Sequence, residues 1–147
     1  MIKLRKTEIN ELPTLYKIGI QEHAKTFLNI KSMLDHQREF TDKNTRFLNI
    51  LNTSNVILGY FILVKDLVKK SIQLKRILIC KEHLGIGQDS LISLEKYCIT
   101  EIGINHIWLD VYDNNYRAIH IYKKLGYKLF NTLIEDNRKI LYYDKLL

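Results

Sequence analysis

The chain has 147 residues, of which 46% are hydrophobic and 27% are charged, with one proline and six glycines. This length and composition are typical of one globular domain and exclude a disordered, collagen-like or low-complexity chain. The formal net charge of +7 favours encounter with anions such as nucleic acid, acidic protein or a polyphosphate cofactor, and does not choose among them. Because the lysines and arginines are scattered along the sequence, a nucleic-acid-binding module is disfavoured. We predict a single domain over residues 1–147.

The sequence also bears on location and metal content. Its longest stretch without charge, residues 47–64, is interrupted by the polar residues 52–55 and is shorter than the roughly 20 apolar residues that span a bilayer, and the N-terminal segment lacks the apolar run of a signal peptide. We therefore expect a cytoplasmic protein without a membrane anchor. The two cysteines, Cys80 and Cys98, have no metal-ligand spacing, so we predict reduced buried thiols and no structural metal.

Periodicity of the apolar residues predicts the secondary structure. Helical spacing indicates four helices: one that begins at Thr7, one over residues 32–40, one that ends at Gly103 and one that ends at Gly126. Alternating or β-branched runs indicate strands over residues 2–5, 46–51, 56–64, 72–80, 106–111, 127–132 and 139–146.

The order of these elements, β-α-α-β-β-β-α-β-α-β-β, defines a fold class. Polar turns at residues 52–55 and 135–137 indicate hairpins, which give antiparallel neighbours, whereas crossover helices give parallel ones. The sheet must therefore be mixed. We predict an α+β fold with a mostly antiparallel sheet of six to seven strands, flanked by about four helices.

A glycine loop is the first candidate for a binding site. Gly85-Ile86-Gly87 stands between a predicted strand and a predicted helix, where unpaired backbone N–H groups and the helix dipole can hold phosphate oxygens. A tight strand-to-helix turn explains the two glycines equally well. The loop matches neither the dinucleotide-binding pattern GxGxxG nor a P-loop, which disfavours an oxidoreductase and a nucleoside triphosphatase.

Two segments in the second half of the chain carry a family resemblance. The segment NYRAIHIYKKLGY (115–127) resembles the signature NxxAixlYeklGF of the GNAT superfamily of acyl-CoA-dependent N-acetyltransferases. Upstream, QLKRILICKEHLGIG (73–87) resembles the segment ELkRlyVlpeyrGkGiG of the same family. The resemblance covers residues 56–127 well, and the predicted order of elements outside that range also fits a GNAT-like fold.

The resemblance implies acetyl-CoA as the cosubstrate. The backbone of residues 77–79 would pair with its pantetheine arm and acetyl carbonyl like an added strand, and residues 85–88 would hold its pyrophosphate. Asn115 matches the asparagine that contacts the cofactor arm, and His83 is expected to assist near the phosphates. The expected cofactor-binding residues are Ile77, Leu78, Ile79, His83, Gly85, Ile86, Gly87, Gln88 and Asn115.

Two residues are candidates for catalysis. Tyr122 matches the family's tyrosine that protonates the departing thiolate, although its position on an apolar helix face is equally that of a core aromatic residue. Where many members of the family carry a glutamate that acts as general base, this chain has Gln73, which cannot accept the proton. Asp110, five residues before Asn115, matches the position where some members of the family place an acidic residue that serves as base, so the resemblance makes it the candidate base; a strand-end carboxylate paired with a nearby cation is the alternative.

Two functions follow as hypotheses. The first is an N-acetyltransferase that passes the acetyl group directly to a primary amine, on a small molecule or a peptide, in a ternary complex. The second, favoured by Gln73, is a catalytically silent acyl-CoA-binding sensor or interaction module of the same fold. The sequence does not identify the acceptor, although the charge of +7 mildly disfavours polyamines. A homodimer is expected on symmetry grounds.

Overall fold

The computed structural model describes residues 2–21, 32–80 and 85–147, and within them it shows seven strands and four α-helices. The strands are β1 (Lys3–Lys6), β2 (Thr45–Leu51), β3 (Ile57–Asp66), β4 (Ser71–Ile79), β5 (His106–Tyr112), β6 (Lys128–Glu135) and β7 (Arg138–Leu146). The helices are α1 (Leu12–Gly19), α2 (Met33–Thr41), α3 (Gly87–Tyr97) and α4 (Tyr116–Lys124). The predicted order of elements and the α+β fold class are confirmed.

All seven strands belong to one sheet in the order β1-β2-β3-β4-β5-β7-β6. Every neighbouring pair is antiparallel except β4 and β5, which are parallel. These two strands pair only at Ile72 with Ile107 and at Gln73 with Trp108. Beyond Gln73 they separate, so the sheet is split from this point to the C-terminal ends of both strands.

Helices cover both faces of the sheet. Leu12 and Leu15 of α1 pack with Phe47 and Tyr60 on one face, in a cluster that Met33 of α2 also contacts. On the other face lies the larger cluster, in which α3 and α4 pack against alternate residues of the strands. It includes Phe61, Leu63, Ile107 and Leu109 of the strands and Tyr122 of α4. Successive residues of a strand point to opposite faces of the sheet. The side chains along a strand therefore alternate between the face that α1 and α2 cover and the face that α3 and α4 cover.

Local signals set most of the helix ends. Ser32 caps α2 by accepting a hydrogen bond from Asp35 N at 3.1 Å. Gly103, at φ +79°, ends the π-helical turn that follows α3, and Gly126, at φ +94°, follows α4. The predicted helix start at Thr7 is wrong. Thr7 donates instead to Asn49 Oδ1 at 2.6 Å, and Glu8 forms the cap of the 3-10 turn that precedes α1.

Candidate active site

The separation of β4 and β5 opens a cavity of about 690 Å³ in the middle of the sheet. Its walls come from the second half of β4, the end of β5, the start of α3 and the first turns of α4. Seven of the eleven predicted site residues line it: Ile77, Leu78, Ile79, Gly87, Asp110, Asn115 and Tyr122. The structure thus brings residues from four distant segments of the sequence together around one space.

One wall of the cavity is a strand edge. Ile77, Leu78 and Ile79 pair on one side with Phe61, Tyr60 and Gly59 of β3. On their other side no strand of the described residues pairs with them, since β5 leaves β4 after Gln73. Alternate backbone N–H and C=O groups of this edge are therefore available to an extended ligand, which can bind as an added strand.

The start of α3 forms the end of the cavity. Gly87 lines it, whereas Gly85, Ile86 and Gln88 lie beside Gly87 without being part of the wall, and His83 lies outside the described residues. The N-cap residue is Ile86, whose side chain cannot accept a hydrogen bond, so within the described residues the N–H groups of the first turn have no side-chain cap. A Cβ at Gly85 would meet nothing within 4 Å, and one at Gly87 would lie 3.5 Å from Ile121 Cδ1, an ordinary contact. Packing within the part of the chain that the structure describes therefore does not require either glycine.

Tyr122 reaches the cavity from α4. It is 5% exposed, and its ring packs against those of Tyr127 and Tyr143, with centroids 5.8 Å and 6.5 Å away. Burial raises the pKa of the phenol well above its ordinary value, and the negative charge of Asp110 raises it further. The hydroxyl is therefore protonated at neutral pH, which is the state that a proton donor requires.

Asp110 lines the same cavity from β5 and keeps contact with solvent. The surrounding protein removes part of the water around the carboxylate, which raises its pKa above the usual value, and the charge of Glu135 adds to the shift. Both effects make the carboxylate a stronger base than a fully hydrated aspartate. No ion pair within the described residues involves Asp110, so the alternative of a strand-end carboxylate paired with a cation finds no support there.

Asn115 has a structural role as well as a place on the cavity wall. It is the N-cap of α4, and its Oδ1 accepts a hydrogen bond from Ala118 N at 3.4 Å. The cap uses the amide oxygen, and Asn115 is also among the residues that line the cavity. A single asparagine thus accounts for the start of α4 and stands where the predicted cofactor contact would occur.

Sequence reasoning missed a charged group on the β4 wall. Lys75 and Arg76 both line the cavity, and both contact the carboxylate of Glu39 on α2, Arg76 through Nη1 at 3.4 Å from Oε1. The register shifts here, since Ile62 pairs with Arg76 and Leu63 with Leu74, so Lys75 is the extra residue of a β-bulge. Gln73, by contrast, is not among the described residues that line the cavity.

A second concavity of about 750 Å³ lies between β1 and α3, lined by residues such as Leu4, Ile92 and Tyr97. It contains none of the predicted site residues. Within the described residues no helix is long and apolar enough to cross a membrane. The same part of the chain has no group of three or more His, Cys, Asp or Glu side chains placed to hold a metal ion.

Comparison with known proteins identifies the class to which this arrangement belongs. Residues 10–127 match the family model described as the acetyltransferase (GNAT) family. The chain therefore belongs to the GNAT family, and by class it is an acetyl-CoA-dependent N-acetyltransferase. No curated protein matches the chain at a significant level of sequence similarity.

Solved structures of the same fold include several of spermidine N-acetyltransferase SpeG from Vibrio cholerae. The complex of that enzyme with CoA and spermine has a TM-score of 0.85 at 19% identity, covering 99% of this chain and 95% of the other. The F149G mutant has a TM-score of 0.84 at 17% identity, with 99% and 93% covered. A dodecameric form has a TM-score of 0.82 at 17% identity, with the same coverage. These similarities concern the fold.

Proposed function

We propose that the protein transfers an acetyl group from acetyl-CoA to a primary amine by direct attack within a ternary complex. The observation that carries this proposal is the split between β4 and β5. It joins an unpaired strand edge, an uncapped helix start, a carboxylate and a protonated phenol around one cavity. These are the groups that amine attack on a thioester requires.

In this proposal acetyl-CoA binds along the split. The backbone of residues 77–79 pairs with the pantetheine arm, and the N–H groups at Gly85, Ile86, Gly87 and Gln88 hold the pyrophosphate. The absence of a packing reason for either glycine supports this placement, because a backbone without Cβ atoms lets phosphates approach closely. Asn115 contacts the arm from the opposite wall, and the formal charge of +7 favours encounter with the polyphosphate.

The reaction then proceeds by addition and elimination. Asp110 accepts a proton from the acceptor's ammonium group, and the amine nitrogen attacks the thioester carbonyl carbon. The C–S bond of the tetrahedral intermediate breaks, and Tyr122 donates its hydroxyl proton to the departing sulfur. The nitrogen loses its remaining extra proton to solvent, Asp110 releases to solvent the proton that it accepted, and Tyr122 is reprotonated from solvent. The products are an N-acetyl amide and the free thiol of CoA.

Direct transfer is supported over a route through an acetylated cysteine. Burial raises the pKa of the Cys98 thiol to about 12, and the charge of Glu95 contributes to the increase. Such a thiol is almost entirely protonated at neutral pH and is therefore a poor nucleophile. Neither Cys98 nor Cys80 is among the described residues that line the cavity. The amine itself is thus the nucleophile in our proposal.

The silent-module hypothesis depends on Gln73, which lacks a carboxylate. Because Gln73 is the last residue of β4 that pairs with β5 and is not among the described residues that line the cavity, its amide removes no group from that wall. Asp110 and Tyr122 remain in place there. This arrangement favours an enzyme over a module that has lost turnover.

The test combines purified protein and acetyl-CoA with a panel of primary amines and measures the release of CoA thiol and the mass of the product. The panel covers amino acids, amino sugars, polyamines and peptides with a free N-terminus. At least one amine should accelerate thiol release above the amine-free rate and gain one acetyl group in mass. If acetyl-CoA binds but no amine accelerates its consumption, the silent-module hypothesis replaces the enzyme.

A further inference from the structure

A cationic cluster lies on the β4 wall of the cavity. Lys75 and Arg76 share the single carboxylate of Glu39, so the three groups together carry one net positive charge. The side chain of Arg76 is 12% exposed and that of Lys75 is 42% exposed. His36 beside them adds no charge, because its burial and the charge of Arg76 lower the pKa of its imidazole.

The cluster is on the sheet face that α1 and α2 cover. Arg76 pairs with Ile62, which belongs to the apolar cluster of that face, and directly paired residues of antiparallel strands share a face. Glu39, on α2, contacts Arg76 from the same side. The glycine loop and Tyr122 pack with the layer of α3 and α4, so the cluster lies away from the expected phosphate site.

Asp110 faces this cluster across the split. Its neighbours Leu109 and Val111 belong to the α3 and α4 layer, so Asp110 points to the opposite face, as Arg76 does. Asp110 stands two residues beyond Trp108, the last residue of β5 that pairs with β4. Arg76 stands three residues beyond Gln73, but the bulge at Lys75 absorbs one of them. Asp110 and Arg76 therefore stand at corresponding positions along β5 and β4, on opposite sides of the split. They form no ion pair with each other.

We propose that the acceptor is a small aminocarboxylate, whose amine is presented to Asp110 and whose carboxylate binds Arg76 and Lys75. The proposal rests on the acetyltransferase function proposed above and names its substrate class. A carboxylate, Asp110, on one side of the split and two cations, Lys75 and Arg76, on the other side match a molecule that carries both charges. The guanidinium of Arg76 offers paired N–H donors that suit a carboxylate. A polyamine, with cations along its length, would bring like charge against Lys75 and Arg76.

The test compares free amino acids with their carboxamides, which differ only in the carboxylate. For the preferred side chain, the acid should have a kcat/KM at least about tenfold higher than the amide. The amide has the less basic amine and more of it is unprotonated, so this preference opposes the trend of amine reactivity. Arg76→Gln and Lys75→Gln should each lower the preference by about tenfold. Lys69→Gln removes one positive charge from the exposed turn before β4 and should leave it unchanged.

Each outcome bears on one of the two proposals. Equal use of acid and amide, or a preference that survives in both Arg76→Gln and Lys75→Gln, would overturn the aminocarboxylate. Acetylation of spermidine but of no amino acid would overturn it too, while leaving the acetyltransferase in place. If wild-type protein binds acetyl-CoA but acetylates no amine, the function itself fails. An acetyl-CoA titration of each variant, expected to match wild type, shows that the variant is folded.

Discussion

Replacing Tyr122 by phenylalanine isolates the step in which the sulfur leaves. The change removes one hydroxyl and keeps the ring, which is 5% exposed and packs against Tyr127 and Tyr143. We therefore expect the free energy of unfolding to change by about 1 kcal/mol or less. General acids contribute about 100- to 10,000-fold to rate, or about 2.7–5.4 kcal/mol of barrier. Turnover should fall by at least about tenfold, while the affinity for acetyl-CoA stays nearly unchanged.

The assay follows the acetylated product by mass, with calorimetry for the affinity. Burial and Asp110 hold the pKa of Tyr122 above its ordinary value of about 10, so the phenol is protonated from pH 6 to 9. The loss in Tyr122→Phe should therefore be the same across that range. A turnover within twofold of wild type would refute the reasoning and return Tyr122 to the role of a core aromatic.

Tyr127→Phe is the matched control. Tyr127 is buried in the same cluster, is not among the described residues that line the cavity, and its hydroxyl makes no hydrogen bond of good geometry in the described chain, although the carboxylate of Glu95 lies near it. An unsatisfied buried hydroxyl costs about 1–3 kcal/mol, so its removal should leave the protein equally or more stable. Turnover should not change. A comparable loss of turnover in both variants would show that the effect of Tyr122→Phe is one of packing.

Three further predictions concern the base, the sheet and the N-terminal region. Asp110→Asn should slow acetylation most at low pH and with amines of high pKa, because those amines most need a base; equal slowing across pH and amines would instead indicate positioning. Gly59→Ala should destabilise the fold by about 1–3 kcal/mol, seen as a lower Tm, because its Cβ would lie 2.1 Å from Leu78 O. The hydrogen bonds from Arg5 lower the pKa of Glu11 from 4.5 to about 2. This stabilisation is present above pH 4.5 and is lost as pH falls toward 2, so Glu11→Gln should remove that part of the acid sensitivity in denaturant unfolding.

The fold could be predicted because its signals are local. Apolar periodicity located each strand and α-helix of the described residues, and Gly103 and Gly126 marked where helices end. The start of the first helix was predicted wrongly at Thr7 because Thr7 resembles an N-cap in sequence. Its hydroxyl instead donates a hydrogen bond to Asn49, forty-two residues away. No local sequence pattern predicts a contact over that separation.

The site was predictable only in part, for a related reason. The family resemblance located the residues of the β4 edge and of α4, and the structure brings most of them to one cavity, while their roles stay predictions. The point where β4 and β5 part depends on pairing between distant segments. The bulge at Lys75 depends on the register with β3, although an interrupted alternation in the sequence from Leu74 to Arg76 is a weak local sign of it. Glu39 contacts both Lys75 and Arg76 because α2 packs against this face of the sheet. The spacing of these residues in the sequence does not predict the contact.

The central claim is that the split between β4 and β5 is an acyl-CoA cleft, and calorimetric titration with acetyl-CoA tests it most directly. CoA and NAD serve as comparison ligands, since NAD separates specific recognition from simple attraction of a polyphosphate to a protein of charge +7. The account predicts one-to-one binding of acetyl-CoA and CoA with a micromolar Kd, about 8 kcal/mol, and much weaker binding of NAD. Absence of acetyl-CoA binding at millimolar ligand, or equal binding of NAD, would contradict it.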